Sequence, residues 1–372
     1  MCVLHDLPPQ SDRREAFFEE KAQHEKRHEG LGGHNQVSTT FNMSAHARAG
    51  AMRNSPADYR PGTRAFLQDV LEGLQRPQKQ LPPKYFYDER GARLFEAICG
   101  LDEYYIPRTE SAIMADHVDE MASLLGEEVL LVEYGCGDCA KTRVLLDNLS
   151  RPAGFVPIDI SFEQLHRVAS DLQRSYPHIE VLPVCADYTN GFELPRPSKA
   201  CTRNAVYFPG STLGNFDPLP ARLFLDHVAE TCGRDGALLI GVDLHKDPGV
   251  IHKAYNDGLG VTAAFNLNIL ARMNAELGAD FNLDGFRHYA FFNPVESRVE
   301  MHLVSARDQA AHVGGTTVRF TKGESIWTES SYKYTLEGFE RLANSAGFEV
   351  DRVWTDERDW FSVQYLVARG KA

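Results

Sequence analysis

Hydrophobic positions along the 372-residue chain change character near residue 63. Before it, residues 1–60 are rich in His, Glu, Arg, Gln and Gly and carry no sustained apolar period, so they read as a flexible leader. After it, residues 64–74 have helical spacing, and Pro82-Pro83 break that pattern ahead of the aromatic run Tyr85-Phe86-Tyr87-Asp88. An alternation of strand and helix then begins. Residues 129–134 read as a buried strand and 141–149 as a helix; 154–158 and 162–175 repeat the pair. Further strands are expected at 179–185, 205–208 and 237–242, each ending at a polar or glycine-rich turn. Such alternation implies a parallel sheet with right-handed crossovers.

Residues 246–334 interrupt that rhythm with an amphipathic helical stretch at 249–277 and strand-like alternation at 296–305 and 316–321. A helix at 335–346 and a closing hairpin from 348–353 and 361–367 come next. The simplest architecture is α/β, one sheet domain built from 110–245 plus 335–372. A second lobe, drawn from 61–109 plus 246–334, is inserted before its last strands.

Composition narrows the role. At 43% hydrophobic the chain can bury a full core, while a net charge of −13 leaves no broad basic surface for nucleic-acid phosphates or anionic lipid. The apolar runs at 129–132 and 237–242 fall far short of a membrane span, and the start lacks a signal-like apolar core. Seven scattered cysteines do not form a secreted disulfide framework. The expectation is a cytoplasmic monomer acting on a small molecule, without nucleic-acid or membrane partners. His24 and His28 would share a helix face, but a solvated charged face explains them as well, and no metal site is expected.

The chemistry starts where the first strand runs into Glu133-Tyr134-Gly135-Cys136-Gly137, the position at which open α/β sheets bind ligands. Gly135-x-Gly137-x-x-Ala140 also satisfies a loosened dinucleotide fingerprint, with Asp159 at the distance of a ribose carboxylate. Asp187-Tyr188 at the third strand end separates the two readings. A carboxylate beside an aromatic ring suits adenine, whose exocyclic amine donates and whose face stacks. A sulfonium cofactor also lacks the pyrophosphate that Glu133 would repel. Asp159 and Asp187 taken singly also fit strand ends or helix caps. Cys136-x-x-Cys139 has no second pair at ligand spacing, so a metal or redox pair is disfavoured.

Five blocks in order carry a resemblance. They are Leu81 to Gly91 (LPPKYFYDERG), Glu103 to Glu110 (EYYIPRTE), Gly210 to Pro218 (GSTLGNFDP), Ala254 to Asn266 (AYNDGLGVTAAFN) and Trp327 to Tyr334 (WTESSYKY). From residue 63 to the C-terminus the chain resembles the histidine Nα-methyltransferase family of ergothioneine biosynthesis, which converts L-histidine to its trimethylated betaine, hercynine. The resemblance implies a Rossmann-like class I methyltransferase sheet with an inserted substrate-binding lobe. It also implies S-adenosyl-L-methionine (SAM) held by Gly135, Gly137, Lys141, Asp159, Asp187 and Tyr188. On the substrate side it implies Tyr104, Asn215, Tyr255, Glu329 and Ser331, with Asn215 and Tyr255 on the amino and carboxylate groups and Glu329 and Ser331 on the imidazole. Tyr87 would stand close to the reacting amine, making Tyr87 and Asn215 the expected catalytic pair. Tyr188 stands where the family commonly has Phe and Cys136 where it often has Ser. Two alternatives keep the fold: a methyltransferase of another amino acid or amine, or a non-catalytic module that binds SAM or a histidine-like ligand.

Overall fold

The computed structural model describes residues 57–369. The elements run β1 (Ala57–Tyr59), α1 (Thr63–Leu74), β2 (Lys79–Gln80), α2 (Glu89–Cys99), α3 (Ile106–Leu125), β3 (Leu130–Tyr134), α4 (Ala140–Asn148), β4 (Gly154–Asp159), α5 (Phe162–Ser175), β5 (Val184–Ala186), β6 (Asn204–Phe208), α6 (Pro218–Cys232) and β7 (Ala237–Asp243). They continue through α7 (Pro248–Tyr255), α8 (Val261–Leu277), β8 (Phe286–Asn293), β9 (Arg298–Ser305), β10 (Gln309–Val313), β11 (Thr316–Phe320), β12 (Ser325–Tyr332), α9 (Leu336–Ser345), β13 (Phe348–Thr355) and β14 (Phe361–Ala368).

The main sheet has the order β1-β5-β4-β3-β6-β7-β14-β13. Strands β5 to β7 pair in parallel, and β14 runs antiparallel to both neighbours, so the last hairpin closes the sheet. β3 is buried at every position. Leu130, Val132 and Tyr134 face a core shared with α6 and α9, whereas Leu131 faces the opposite core with α3, α4 and α5. Helices on both faces explain why these strands read as unbroken apolar runs.

The second sheet, β2-β12-β9-β8, is antiparallel apart from β2, which pairs in parallel with β12 and so brings the 61–109 segment into the lobe. Helix α8 covers it: Phe265, Ile269 and Met273 share one buried cluster with Val299, Met301 and Leu303. Asp88 joins the segments further, since its Oδ1 caps α2 by accepting from Gly91 N at 2.7 Å and also accepts from Asn268 Nδ2 at 2.7 Å. The lobe has no core of its own. Its apolar cluster is continuous with the α3–α5 face of the main sheet.

Several expectations need correction. Residues 57–59, at the end of the expected leader, pair in parallel with β5 as an edge strand; residues 1–56, including His24 and His28, lie outside the described residues. The third strand shrinks to Val184–Ala186, with one bridge between Val181 and Phe155, because Pro183 offers no N–H to a ladder. The helical stretch at 249–277 is two helices. Asp257 accepts from Val261 N and Thr262 N at 2.8 Å each, and Gly260 takes φ +70°, which restarts the chain as α8. Strands β8, β10 and β12 went unanticipated.

Candidate active site

The glycine turn after β3 forms an open cradle. Gly135 N and Cys136 N donate to Ile158 O at 2.9 and 3.1 Å, which fixes the turn against the end of β4. Gly135 and Gly137 take φ +73° and +52°, where side chains are strained, and a Cβ on Gly137 would meet no atom within 4 Å. Asp159 accepts from Gly137 N through Oδ2 at 3.0 Å and from Ser161 N through Oδ1 at 2.9 Å, tying β4 to the loop; burial pushes its carboxyl up despite those bonds. Glu133 is buried beneath the loop, accepts from Cys139 Sγ at 3.5 Å, and is pushed up by burial to about 8. Cys136 and Cys139 are buried free thiols.

Two residues expected at the cofactor are already engaged by the protein. Lys141 pairs with fully buried Glu110 of α3, whose two oxygens also accept from Gly210 N at 3.0 Å each. Asp187 accepts from Thr189 N at 3.0 Å, Thr189 Oγ1, Asn190 Nδ2 at 2.8 Å and Lys84 Nζ at 3.1 Å. Four donors match the four lone-pair sites of a carboxylate, so an incoming amine would displace one of them. Tyr188 lies parallel to Tyr134 with centroids 5.7 Å apart and edges against Phe208, so its ring is a fixed platform.

Between cradle and lobe lies a cluster of rings. Tyr87 meets Phe95 and Phe265 at 5.6 and 5.7 Å, and Tyr104 meets Phe95 and Tyr255 at 6.4 and 6.1 Å. Burial first, then the charge of Glu329, holds the Tyr87 phenol well above its usual range; burial and neighbouring Tyr255 do the same for Tyr104. Asp159 also bears on Tyr87, which places this residue at the seam between the two halves.

β12 supplies the polar wall. Its register against β9 shifts between Trp327 and Glu329, and the extra residue, Thr328, donates to Asn266 Oδ1 at 2.7 Å and Met301 O at 3.0 Å. Such a bulge re-aims the side chains beyond it. Glu329, Ser331 and Lys333 then alternate along one side of the strand. The Glu329 carboxylate is half-buried, accepts no hydrogen bond among the described residues, and is pushed up by burial to about 7, with Lys333 pulling the other way. Tyr255 Oη donates to Ser331 Oγ at 2.8 Å, and Lys333 Nζ donates to both, at 3.1 and 2.8 Å. Lys333 Nζ also pairs with Asp243 Oδ2 at 2.7 Å. Asp243 accepts from Tyr105 Oη at 2.8 Å and from Lys246 Nζ at 2.5 Å.

Asn215 ends the single turn Thr212–Asn215, packed so tightly on β12 that a Cβ on Gly214 would fall 2.8 Å from Tyr332 O. It shares a cavity of about 260 Å³ with Glu329, Trp327, Asp217 and Pro82. The expected substrate residues are thus gathered on one seam from five separate segments. Sequence reading missed Lys333, Asp243 and Glu110, though a lysine two residues past Ser331 on an alternating strand was an available signal.

A parallel sheet of order β5-β4-β3-β6-β7 closed by an antiparallel β14-β13 hairpin, with a glycine cradle at the end of β3, defines a class I SAM-dependent methyltransferase. A model of the SAM-dependent histidine-specific methyltransferases matches residues 66–368, and the chain belongs to that family. It is similar to a histidine N-alpha-methyltransferase of Mycobacterium tuberculosis, with 40% identity over 308 residues covering 81% of this chain and 94% of the relative. The corresponding enzyme of Mycolicibacterium smegmatis is 39% identical over 310 residues, 82% and 95% of the two chains. Ergothioneine biosynthesis protein 1 of Neurospora crassa is 31% identical over 311 residues, covering 78% of this chain and 34% of that one.

The Lys141–Glu110 pair holds the cradle ahead of any ligand. Lys141→Met should therefore destabilise the ligand-free protein by about 3 kcal/mol in urea denaturation, because Glu110 is left buried and nearly unpaired. Adding Glu110→Gln should recover most of the loss.

Proposed function

We propose that this enzyme transfers methyl groups to the α-amine of L-histidine, three in succession, giving hercynine as the first step of ergothioneine biosynthesis. The observation that carries the reading is Glu329: a half-buried carboxylate that meets no hydrogen-bond donor among the described residues, beside a serine hydroxyl, on the seam between lobe and cradle. An imidazole N–H supplies the donor it lacks. A ligand ring without that N–H leaves a desolvated carboxylate unpaired, which is a strong basis for discrimination. The family membership and the activities for which the relatives are named support the same substrate.

When bound, SAM supplies an electrophilic methyl carbon on a sulfonium. The open space at Gly137, the Asp159 carboxylate beside it and the Tyr188 platform fit its ribose and adenine, with Gly135, Lys141 and Asp187 completing the cradle. Asn215 and Tyr255 would hold the amino and carboxylate groups of histidine. Tyr104 would flank them, and Tyr87 would stand against the reacting nitrogen. The step is an in-line displacement by a neutral amine, so orientation and water exclusion supply most of the acceleration. Phenol rings and hydroxyls can surround a nitrogen whose bulk and positive charge grow with each methyl, without holding it by a full opposite charge. The reading takes the enzyme as a cytosolic monomer acting on a free amino acid; its acidic balance supports this, and no helix among the described residues is long and apolar enough to cross a membrane.

Mass spectrometry of the protein incubated with SAM and the twenty amino acids should show mono-, di- and trimethylhistidine and no other methylated product. Methyl groups on another amino acid would keep the class and remove histidine as substrate. Calorimetry should separate the halves of the site: Glu329→Ala weakens histidine at least tenfold while S-adenosylhomocysteine stays within about twofold, and Asp159→Ala does the reverse. A reversal of those effects would refute the residue assignments.

The raised carboxyl also sets a pH dependence. Glu329 is ionised, and accepts an N–H as a full carboxylate in the stronger charge-assisted bond, above about 7, so histidine affinity should rise with pH through that point. Glu329→Gln should abolish this step, leaving only the titration of free histidine, which is measured separately.

A further inference from the structure

The hydrogen-bond count around Lys333 is closed in every direction but one. Its ammonium has three N–H donors and no acceptor. They go to Asp243 Oδ2 at 2.7 Å, Ser331 Oγ at 2.8 Å and Tyr255 Oη at 3.1 Å. The side chain is 0% exposed, as is that of Asp243, so water cannot substitute for these partners. Tyr255 and Ser331 own two hydroxyl protons between them. One is consumed in their mutual 2.8 Å bond, and the phenol, as the stronger acid, is its donor. The remaining proton belongs to Ser331. It cannot point at Lys333, which offers no lone pair, and no protein acceptor meets Ser331 Oγ among the described residues. Ser331 Oγ instead lies beside the turn that carries Asn215, about 3.6 Å from where a Cβ on Gly214 would stand.

Resting on the histidine reading above, we propose that Lys333 is the positioning residue that sets ring specificity. By filling an acceptor site on both Tyr255 and Ser331, it forces Ser331 to donate into the cleft beside the accepting Glu329. The wall then presents one acceptor and one obligatory donor on alternate residues of β12. Such a wall pairs with a ring bearing one N–H and one bare nitrogen, which neutral imidazole satisfies. A ring with an N–H but no bare nitrogen meets the Ser331 proton with nothing to receive it. Were Lys333 neutral or absent, Ser331 and Tyr255 could turn and accept, and that restriction would vanish.

The test uses L-histidine against the 2- and 3-linked pyrrolylalanines, which keep one N–H and lack the bare nitrogen. Affinities are measured by calorimetry on enzyme saturated with S-adenosylhomocysteine. The unaltered enzyme should prefer histidine to both analogues by tenfold or more. In Lys333→Met the ratio should fall to about threefold or less through weaker histidine binding, while the pyrrole analogues and S-adenosylhomocysteine stay within about twofold. Asp243 retains Lys246 and Tyr105 in that variant, so the carboxylate is not stranded. A purely structural role would lower all the amino acids together, and that result, or an unchanged ratio, overturns the proposal. Should Lys333→Met not fold, Ser331→Ala keeps the Lys333–Asp243 pair, removes only one acceptor of the ammonium and must show the same collapse, with Ser331→Thr restoring the ratio; a preserved ratio in Ser331→Ala refutes it. If the unaltered enzyme shows no preference for histidine, the substrate reading itself falls, and the proposal with it.

Discussion

One buried carboxylate, Asp243 at the end of β7, fixes how the lobe attaches to the sheet. It is 0% exposed and meets two ammonium groups, Lys246 and Lys333, together with the Tyr105 hydroxyl at the start of α3. Lys246 opens the inserted segment and Lys333 closes it, so both ends of the lobe are clamped on the same side chain. Backbone bonds tighten the same knot: Tyr334 N donates to Asp243 O at 3.0 Å, and His245 N to Tyr334 O at 2.9 Å. Two ammoniums against one carboxylate leave an excess positive charge in a dry site. Burial accordingly pushes Lys246 down to about 8, whereas Lys333, closest to Asp243 Oδ2, is driven up and keeps its proton. Buried pairs of this kind add little net stability against an apolar replacement, since desolvation consumes the Coulomb gain. Their effect here is geometric, because the observed arrangement brings donors from three chain segments onto one carboxylate.

The location of the candidate active site is a consequence of that clamp. The lobe core is continuous with one face of the main sheet, so the two bodies cannot be separated by a solvent layer, and the cleft is confined to the seam where Tyr87, Tyr104 and Tyr255 meet. Glu110 performs a parallel task on the cofactor side. It holds Lys141 and Gly210 N from the opposite direction, so α3 contributes Tyr105 to one anchor at its start and Glu110 to the other about one turn later. A single helix thereby relates the glycine cradle to the polar wall of β12. Lys84 makes a third link, reaching from the 81–91 segment to Asp69 and Asp187.

What the sequence made legible divides along burial. β3, β4, β6 and β7 are covered on both faces and announce themselves as apolar runs, and Gly135 and Gly137 mark the cradle because positive φ excludes most side chains. β12 was invisible for the opposite reason. It buries Thr328 and Ser331 through hydrogen bonds rather than apolar packing, and its bulge breaks the two-residue period. The split at Asn256–Gly260 was hidden because apolar spacing resumes after it, and only the capping carboxylate of Asp257 distinguishes two helices from one. The candidate substrate residues were reached through resemblance alone; nothing in spacing joins Tyr87 to Glu329 across more than two hundred residues. Asp243 and Lys333 were each in view, as a strand end and as part of a motif, but their pairing is a tertiary fact.

The titration states of the site bear on how it can act. Tyr87, Tyr104 and Tyr255 are all held above the ordinary phenol range, chiefly by burial, so none is a base near neutral pH. Glu329 is the one group of the wall that titrates near neutrality, and in the proposed pose it is occupied with the imidazole at the far end of the substrate. An amine entering as its ammonium would therefore find no general base among these described residues at the reacting end. The consistent picture is one in which the nitrogen arrives neutral, or yields its proton to water before the cleft closes around it. Hydroxyls then orient it through acceptor oxygens that carry no net charge. Since a methylated nitrogen regains a positive charge at each turnover, contact with neutral hydroxyls instead of a paired carboxylate eases proton loss before the next transfer. A site with an anion at Tyr87 would bind the cationic intermediates tightly and resist the successive methylations proposed here.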